Sequence, residues 1–573
     1  MRYRLIHGIT IRHLLPVVAI VSAVCVSSHK VLAQAPPSPL KANTINNAGS
    51  FSYQKVNKPI NQSLRNHSER ERLLELNASL NNLDETYHLY SEKDFDMLWA
   101  PVYRQGNPVQ ELVAYLKDIH TQGLSAQDYH LQMLDERCLI PDTKVVEDCD
   151  ILQTDAIIGL THDLQSGKIN PNKLFEKTEV IKSERDFLLS IERALIAPTL
   201  KSYFESIEPS SNEYQSMKYY LKDLSQRQIP AWEPLALKPS IKPAMVDSRL
   251  SPIIERLVFW QDVSPDWLEK APFGLVYEGE LIKAVERFQL RHGLEVDGVI
   301  GKKTIAALNI TPQERVKQLA ANLERIRWYG AEQYERLIKV NIPSYELWAL
   351  EGGELHLRKA VIVGEVERPT PIFEDKIQYL VLNPTWVVPW ELARKDKLPL
   401  IQENPRYLLD NQFSVYLQDF KINDPNDIDW RKVTKNEFPY RLVQAAGAHN
   451  ALGQVKFMFP NPYEVYLHDT PAKSLFNNDL RAFSSGCIRV QDPMDLVWWI
   501  LRADGLNDID IKKQLNKKYT NTVYLASAVP IRLEYRTAYL GQDNTIQFRA
   551  DIYQRDKKLY EALQQPVAST HLH

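Results

Sequence analysis

Residues 334–363 read YERLIKVNIPSYELWALEGGELHLRKAVIV. Ile338, Val340 and Ile342 alternate with residues suited to solvent, and a period of two belongs to a half-buried strand rather than a helix. Gly352-Gly353 supplies the backbone freedom of a tight hairpin turn, after which Leu355, Leu357 and the apolar run 360–363 resume the pattern. Further strands are expected over 377–382, 455–459 and 464–468. Residues 334–553 are therefore expected to form a mainly β domain. Residues 391–442 interrupt it with a polar, charged segment of loops and short helices, far longer than the usual connection of about two to six residues. An insertion of that length suits a lid or a binding loop.

Upstream, residues 279–309 read GELIKAVERFQLRHGLEVDGVIGKKTIAALN. Leu281, Val285 and Phe288 share one helical face, and Thr304, Ile305 and Leu308 a second. Gly293, Gly298 and Gly301 crowd the turn between them, in a chain with only 20 glycines, so that turn needs unusual backbone geometry. A helical module over 253–312 is expected. Residues 230–252 hold five prolines and read as a linker. Residues 66–229 have helical spacing, as at Leu112, Tyr115, Leu116 and Ile119, and again at Ile157, Ile158, Leu160 and Leu164 after a start near Thr154-Asp155. Residues 34–65, rich in Pro, Ser and Asn, read as another linker, and 554–573 as a C-terminal tail.

The chain has 573 residues, 44% hydrophobic and 25% charged, which implies several folded units and argues against extensive disorder. A net charge of -3 without a dense basic stripe makes nucleic acid a poor partner. At the N-terminus, Arg2, Arg4 and Arg12 precede an apolar run over 14–26, and Val31-Leu32-Ala33 offers a small-residue cleavage site. Residues 1–33 are therefore expected to be a secretory signal, placing the protein in the periplasm or cell envelope, anchored there if the signal is not cut. Export governs the four cysteines. Cys25 leaves with the signal, Cys138 and Cys149 are placed to close a small disulfide loop, and Cys487 remains as an odd thiol. The spacing of the 14 histidines suggests no metal, and no cofactor is expected.

Chemistry concentrates in Tyr466-Leu467-His468-Asp469-Thr470 and in Ser484-Ser485-Gly486-Cys487-Ile488-Arg489-Val490. A free thiol near pKa 8.5 is about a few per cent ionised at neutral pH, so a nucleophile wants a base or cation beside it. His468 is the candidate base for Cys487. The Ser-Ser-Gly entry can aim the Gly486 and Cys487 amides at one point, as an oxyanion hole requires. Strand parity turns the Asp469 carboxylate away from His468 and leaves its main-chain carbonyl as the orienter, whereas Arg489 shares the parity of Cys487. Tyr466, Ser484, Ser485 and Trp390 are candidates for substrate contact.

These residues resemble two known families. The string from Ala284 to Asn309, with Asp297-Gly298 and Gly301 as its signature turn, is similar to the three-helix type 1 peptidoglycan-binding domain. His468 with Ser484-Ser485-Gly486-Cys487-Ile488-Arg489 resembles the active site of the L,D-transpeptidase (YkuD) catalytic domain, with Ser485 standing where most of the family has His. Asn383-Pro384, Trp386, Pro389, Leu452-Gly453, His468-Asp469-Thr470-Pro471 and the closing Phe548-Arg549-x-Asp551-Ile552-Tyr553 fit its large members. The resemblance implies a multidomain α+β protein: a helical N-terminal scaffold, a peptidoglycan-binding module, and a mainly β YkuD-type domain with an inserted lid. It further implies a Cys487 thioester formed on a tetrapeptide stem and passed to the diaminopimelate amine of a second stem, giving 3-3 cross-links, with carbapenems as inhibitors. The alternatives are an L,D-carboxypeptidase or hydrolase using the same pair, and a wall-binding scaffold without catalysis. Synthase or hydrolase partners have no signal in the sequence.

Overall fold

The structure, a computed structural model, describes residues 80–566 except 95, 100–106, 140–145, 181–186, 229, 268–274, 331–333 and 405. The expected signal 1–33, the linker 34–65, the start of the scaffold and the end of the tail lie outside the described residues.

Helices Leu83–Glu92, Pro108–Lys117, Val146–Ser166, Phe187–Ile196, Leu200–Ile207 and Asn212–Gln226 form the N-terminal region. Thr154 and Asp155 do not start a helix; they lie buried inside Val146–Ser166. The Asp155 carboxylate instead accepts the Asn81 and Asn82 amides at 3.1 and 2.7 Å, so a side chain of one helix satisfies the free amides where another begins. A disulfide joins Cys138 to Cys149. The region is not purely helical, because Thr178–Glu179 pairs in parallel with Ile372 and Phe373 of the β domain.

In the glycine-rich module, helices Leu250–Phe259, Glu280–Arg291 and Lys302–Leu308 share a core. Its turn is tight because Gln289 Nε2 donates to Asp297 Oδ1 at 2.9 Å while Gln289 Oε1 accepts the Gly298 amide at 3.0 Å, with Gly298 at φ 66°. Residues 230–252 are not a free linker. Ile241 bridges Ile300, Val246 bridges Val276, and Leu235 and Ile241 are buried in the module's core, so the prolines stiffen a strap.

The expected elements leave out helix Pro312–Tyr329. It opens on a capping box between Thr311 and Glu314 with Pro312 in its first turn, and Gly330 follows its end. Its fully buried Arg327 pairs with Glu324 at 2.7 Å and donates to the Gln122 carbonyl at 2.9 Å, fastening the N-terminal helices to it.

The β domain is a ladder that closes on itself. Ile372–Leu382 pairs with Val455–Met458, then follow Leu467–His468, Ile488–Val490, Glu354–Gly364, Glu346–Glu351, Arg336–Asn341 and Asn521–Glu534, which pairs back onto Ile372–Leu382. The hairpin at Gly352-Gly353 is as the alternation predicts, with both glycines at positive φ. Of the strand expected over 464–468 only Leu467–His468 is extended, since Glu464 takes a positive φ. The insertion is not only loops and short helices. Strands Trp386–Val387, Tyr440–Gln444, Phe413–Leu417 and Phe420–Lys421 form a second sheet over a core of its own that reaches from Trp386 to Leu452. Nor are residues 554–573 simply a tail: helix Arg555–Gln564 buries Leu559 and Leu563 completely. Among the described residues no helix is long and apolar enough to cross a membrane.

Candidate active site

Strand pairing decides which side chains meet. Phe457, Leu467 and Ile488 are cross-strand neighbours, all buried in the core. Because side chains alternate, the next row, Lys456, His468 and Arg489, emerges on the opposite face. One position earlier, Tyr466 lies beside Cys487, where the Ile488 amide donates to the Tyr466 carbonyl at 3.1 Å. Tyr466, His468, Cys487 and Arg489, which are scattered in sequence, thus share one face with Lys456, a residue absent from the sequence-derived set.

His468 is buried, and its Nδ1–H donates to the Asp469 carbonyl at 2.5 Å. A carbonyl only accepts, so Nδ1 holds the proton and Nε2 keeps a lone pair. Burial first, and then the Arg489 charge, drive the imidazole down to about 3 against the pull of the Asp469 carbonyl. The ring is neutral at neutral pH. Cys487 is half-buried, and its Sγ has a weak contact with the Glu464 carbonyl at 3.9 Å besides its hydrogen bonds with Tyr466. Burial pushes the thiol up to about 11, opposed by hydrogen bonds from Tyr466 and by the charges of Arg489 and Lys456. The resting pair is therefore a thiol and a neutral imidazole, not a thiolate–imidazolium pair.

A family model described as the L,D-transpeptidase catalytic domain matches residues 335–512, one described as a scaffold domain 84–221, and a provisionally described peptidoglycan-binding domain 270–308. Residues 335–512 thus match the L,D-transpeptidase catalytic domain. A provisionally named L,D-transpeptidase of Haemophilus influenzae is 37% identical over 243 residues, 42% of this chain and 49% of its own length. The chain thus matches about half the length of that curated relative. Among solved structures, the L,D-transpeptidase from Mycobacterium smegmatis is 13% identical, covering 36% of this chain and 60% of its own, with a TM-score of 0.17. That from Stackebrandtia nassauensis is 13% identical, covering 52% and 95%, with a TM-score of 0.18.

Within this matched domain the loop before the thiol departs from expectation. Gly486, at φ 113°, does not offer its amide as an oxyanion donor, because that N–H is taken by Ser484 Oγ at 3.2 Å. Ser484 is buried and its hydroxyl donates to the Cys487 carbonyl at 2.5 Å, so it holds the loop rather than facing substrate. Ser485 is exposed. The Cys487 amide is left as the unbonded donor at the thiol among the described residues. Its direction is fixed from behind: Thr370, fully buried, donates to the Gly486 carbonyl at 2.8 Å, and in a trans peptide the Cys487 N–H points the other way. Thr370 is held in turn, its amide donating to the Tyr553 hydroxyl at 3.2 Å and that hydroxyl to the Gly364 carbonyl at 2.6 Å. Tyr553 belongs to the closing sequence motif; Thr370 carries no signal in the sequence.

The Asp469 carboxylate turns away from His468, as strand parity requires. It accepts the Gln454 amide at 2.9 Å and pairs with Lys473. Gly453 makes room for it: at φ 59°, a Cβ there would lie 2.3 Å from Asp469 Oδ2. Gly453→Ala is expected to destabilise the protein by about 1–3 kcal/mol, combining backbone strain with the clash. Urea unfolding measures it, and an unchanged midpoint would refute this account of Leu452-Gly453.

Tyr466 packs against both the sheet core and the core of the insertion and so joins the two, edge-on to His468 with ring centres 5.7 Å apart. Trp390 is not gathered into this group. Half its surface is exposed, its indole N–H donates to the Phe438 carbonyl at 2.9 Å, and Arg394 covers its ring, all within the insertion. Among the described residues no group of His, Cys, Asp and Glu is arranged to hold a metal ion.

Proposed function

We propose that this protein is a cysteine-dependent peptidoglycan L,D-transpeptidase that makes 3-3 cross-links through a thioester. The observation that carries this reading is the shared strand face on which Cys487 stands with a neutral His468 whose Nδ1–H is committed and whose Nε2 is free. As Sγ attacks the carbonyl of the third stem residue, His468 Nε2 takes the thiol proton and the Cys487 amide donates to the developing oxyanion. The tetrahedral adduct collapses, His468 returns the proton to the leaving amine of the terminal D-alanine, and a thioester remains. The diaminopimelate amine of a second stem then attacks, loses its proton to His468, and releases the thiol. The thioester must outlast attack by water, a task that suits the insertion seated on Tyr466. Water as acceptor gives the carboxypeptidase alternative from the same pair.

Incubation of the exported form with a disaccharide-tetrapeptide tests the reading: cross-linked dimers report transfer, tripeptide reports hydrolysis, and neither product would refute it. Thr370→Val keeps the shape but frees the Gly486 carbonyl, and with it the Cys487 amide. A complete loss of an oxyanion donor costs about 10²–10³ in kcat, so loosening one is expected to cost about tenfold. Because the same hydroxyl accepts the Gly364 amide at 2.9 Å, the variant is also expected to lose about 1–3 kcal/mol of stability, and kcat is read where it remains folded. An unaltered kcat would show that Thr370 has no part in aiming that amide.

A further inference from the structure

Lys456 and Arg489 stand on either side of His468 in one cross-strand row, and both are half-buried. Among the described residues neither side chain makes an ion pair or a hydrogen bond; Lys456 Nζ lies 5.4 Å from the centre of the Tyr466 ring, and both cations sit within the field of the Cys487 sulfur. Deeply buried arginines elsewhere have polar partners: Arg325 pairs with Asp556 and Arg327 with Glu324, while Arg256 and Arg315, without an ion pair among the described residues, donate to the Leu308 carbonyl and to Gln318 Oε1. Asp469, the carboxylate nearest in sequence to His468, is committed to Lys473 and the Gln454 amide. Burial pulls both Lys456 and Arg489 below their ordinary pKa values, the mark of positive charge held out of water without compensation. Such a cost is relieved by an anion that arrives with the ligand.

We propose that Lys456 and Arg489 together form a two-point receptor for a carboxylate of the donor peptide, seated beside the carbonyl that Cys487 attacks. The inference rests on the acyl-transfer reading above. The planar Arg489 fork suits a bidentate carboxylate, and Lys456 adds a point charge from the other side of His468. A stem donor brings two carboxylates near the scissile bond: the terminal α-carboxylate of the leaving residue, three bonds from the reacting carbon, and the free carboxylate at the end of the diaminopimelate side chain. Either one leaves the row with a single positive charge beside the developing oxyanion.

The test compares three synthetic donors: the tetrapeptide as free acid, the same peptide as its terminal amide, and the peptide with a carboxamide on the diaminopimelate side chain. Release of the terminal residue is followed by mass spectrometry with the wild-type protein, Lys456→Met and Lys456→Arg. For wild type, kcat/KM is expected to fall about 10- to 100-fold on whichever amide removes the recognised carboxylate, the usual size of a charge-assisted contact. Lys456→Met is expected to lose a similar factor on the donors that keep that carboxylate and nothing on the one that lacks it, and Lys456→Arg to recover most of it. Equal losses by Lys456→Met on all three donors would overturn the receptor and make Lys456 a packing or thiol-tuning residue. So would a wild-type rate indifferent to both amides, a result that needs no variant to fold. If wild type released nothing from any donor, or Cys487→Ala released as much as wild type, the acyl-transfer reading would fall and the receptor with it.

Discussion

Cys487→Ala is expected to abolish both dimer and tripeptide formation, a loss of about 10⁴-fold or more, while leaving the fold intact. No neighbour can replace the sulfur. Ser484 is buried with its hydroxyl on the Cys487 carbonyl, and Tyr466 is held protonated by burial, so neither is a nucleophile in waiting. Cys487 is the only cysteine outside the disulfide among the described residues, so thiol acylation has one target there. Mixed with a carbapenem, the wild-type protein is therefore expected to gain the mass of one adduct, and Cys487→Ala none. Dimers made by Cys487→Ala, or an adduct that survives the substitution, would end the thioester reading.

His468→Gln is expected to lower kcat/KM by about 10²–10⁴-fold, because a carboxamide can hydrogen-bond in the imidazole's place but cannot accept the thiol proton. The pH profile separates this role from a structural one. Only neutral imidazole is a base, and His468 in the folded protein stays neutral down to about 3. Base function is therefore present above that value and lost as pH falls through it, with no inflection near the ordinary imidazole value of about 6.5. On the alkaline side the thiol, pushed up to about 11, ionises late, so the wild-type profile is expected to be flat from about pH 5 to 8 and to rise only towards 11. A limb centred near about 6.5 would contradict the buried, neutral ring. The same burial has a cost for stability. In the unfolded chain the imidazole takes a proton below its ordinary value, while in the folded protein it does not until about 3, so the stability this group contributes is complete above the ordinary value and drains as pH falls between the two.

Local patterns in the chain carried much of the architecture. The two-residue alternation after Tyr334, the Gly352-Gly353 turn, and the helical spacing of Leu281, Val285 and Phe288 depend on neighbours a few positions away, and each element formed where its pattern lay. Parity also placed the Asp469 carboxylate away from His468 and its carbonyl beside the ring, since alternation needs no knowledge of the partner strand. Patterns failed where a segment's fate depends on distant surfaces. The prolines of 230–252 look like a linker until Ile300 and Val276 are seen to pair with that segment. Asp155 looks like the start of its own helix until the Asn81 and Asn82 amides arrive at it.

The site divides along the same line. Cys487, His468 and Arg489 were legible in the sequence as candidates, through residue type, the Ser-Ser-Gly entry and parity together with the resemblance to a known active-site pattern, because the chemistry of a thiol, an imidazole and a guanidinium is written in single letters. Lys456 could not, for its place beside His468 is a matter of antiparallel register between strands whose partners are settled by burying Phe457 against Leu467. The commitment of the Gly486 amide to Ser484, the Thr370 bond that aims the Cys487 amide, and the depressed imidazole and raised thiol were equally invisible. Each depends on how much water is excluded and which dipoles converge at one point, quantities that come into being only when segments more than a hundred residues apart close over the same few atoms.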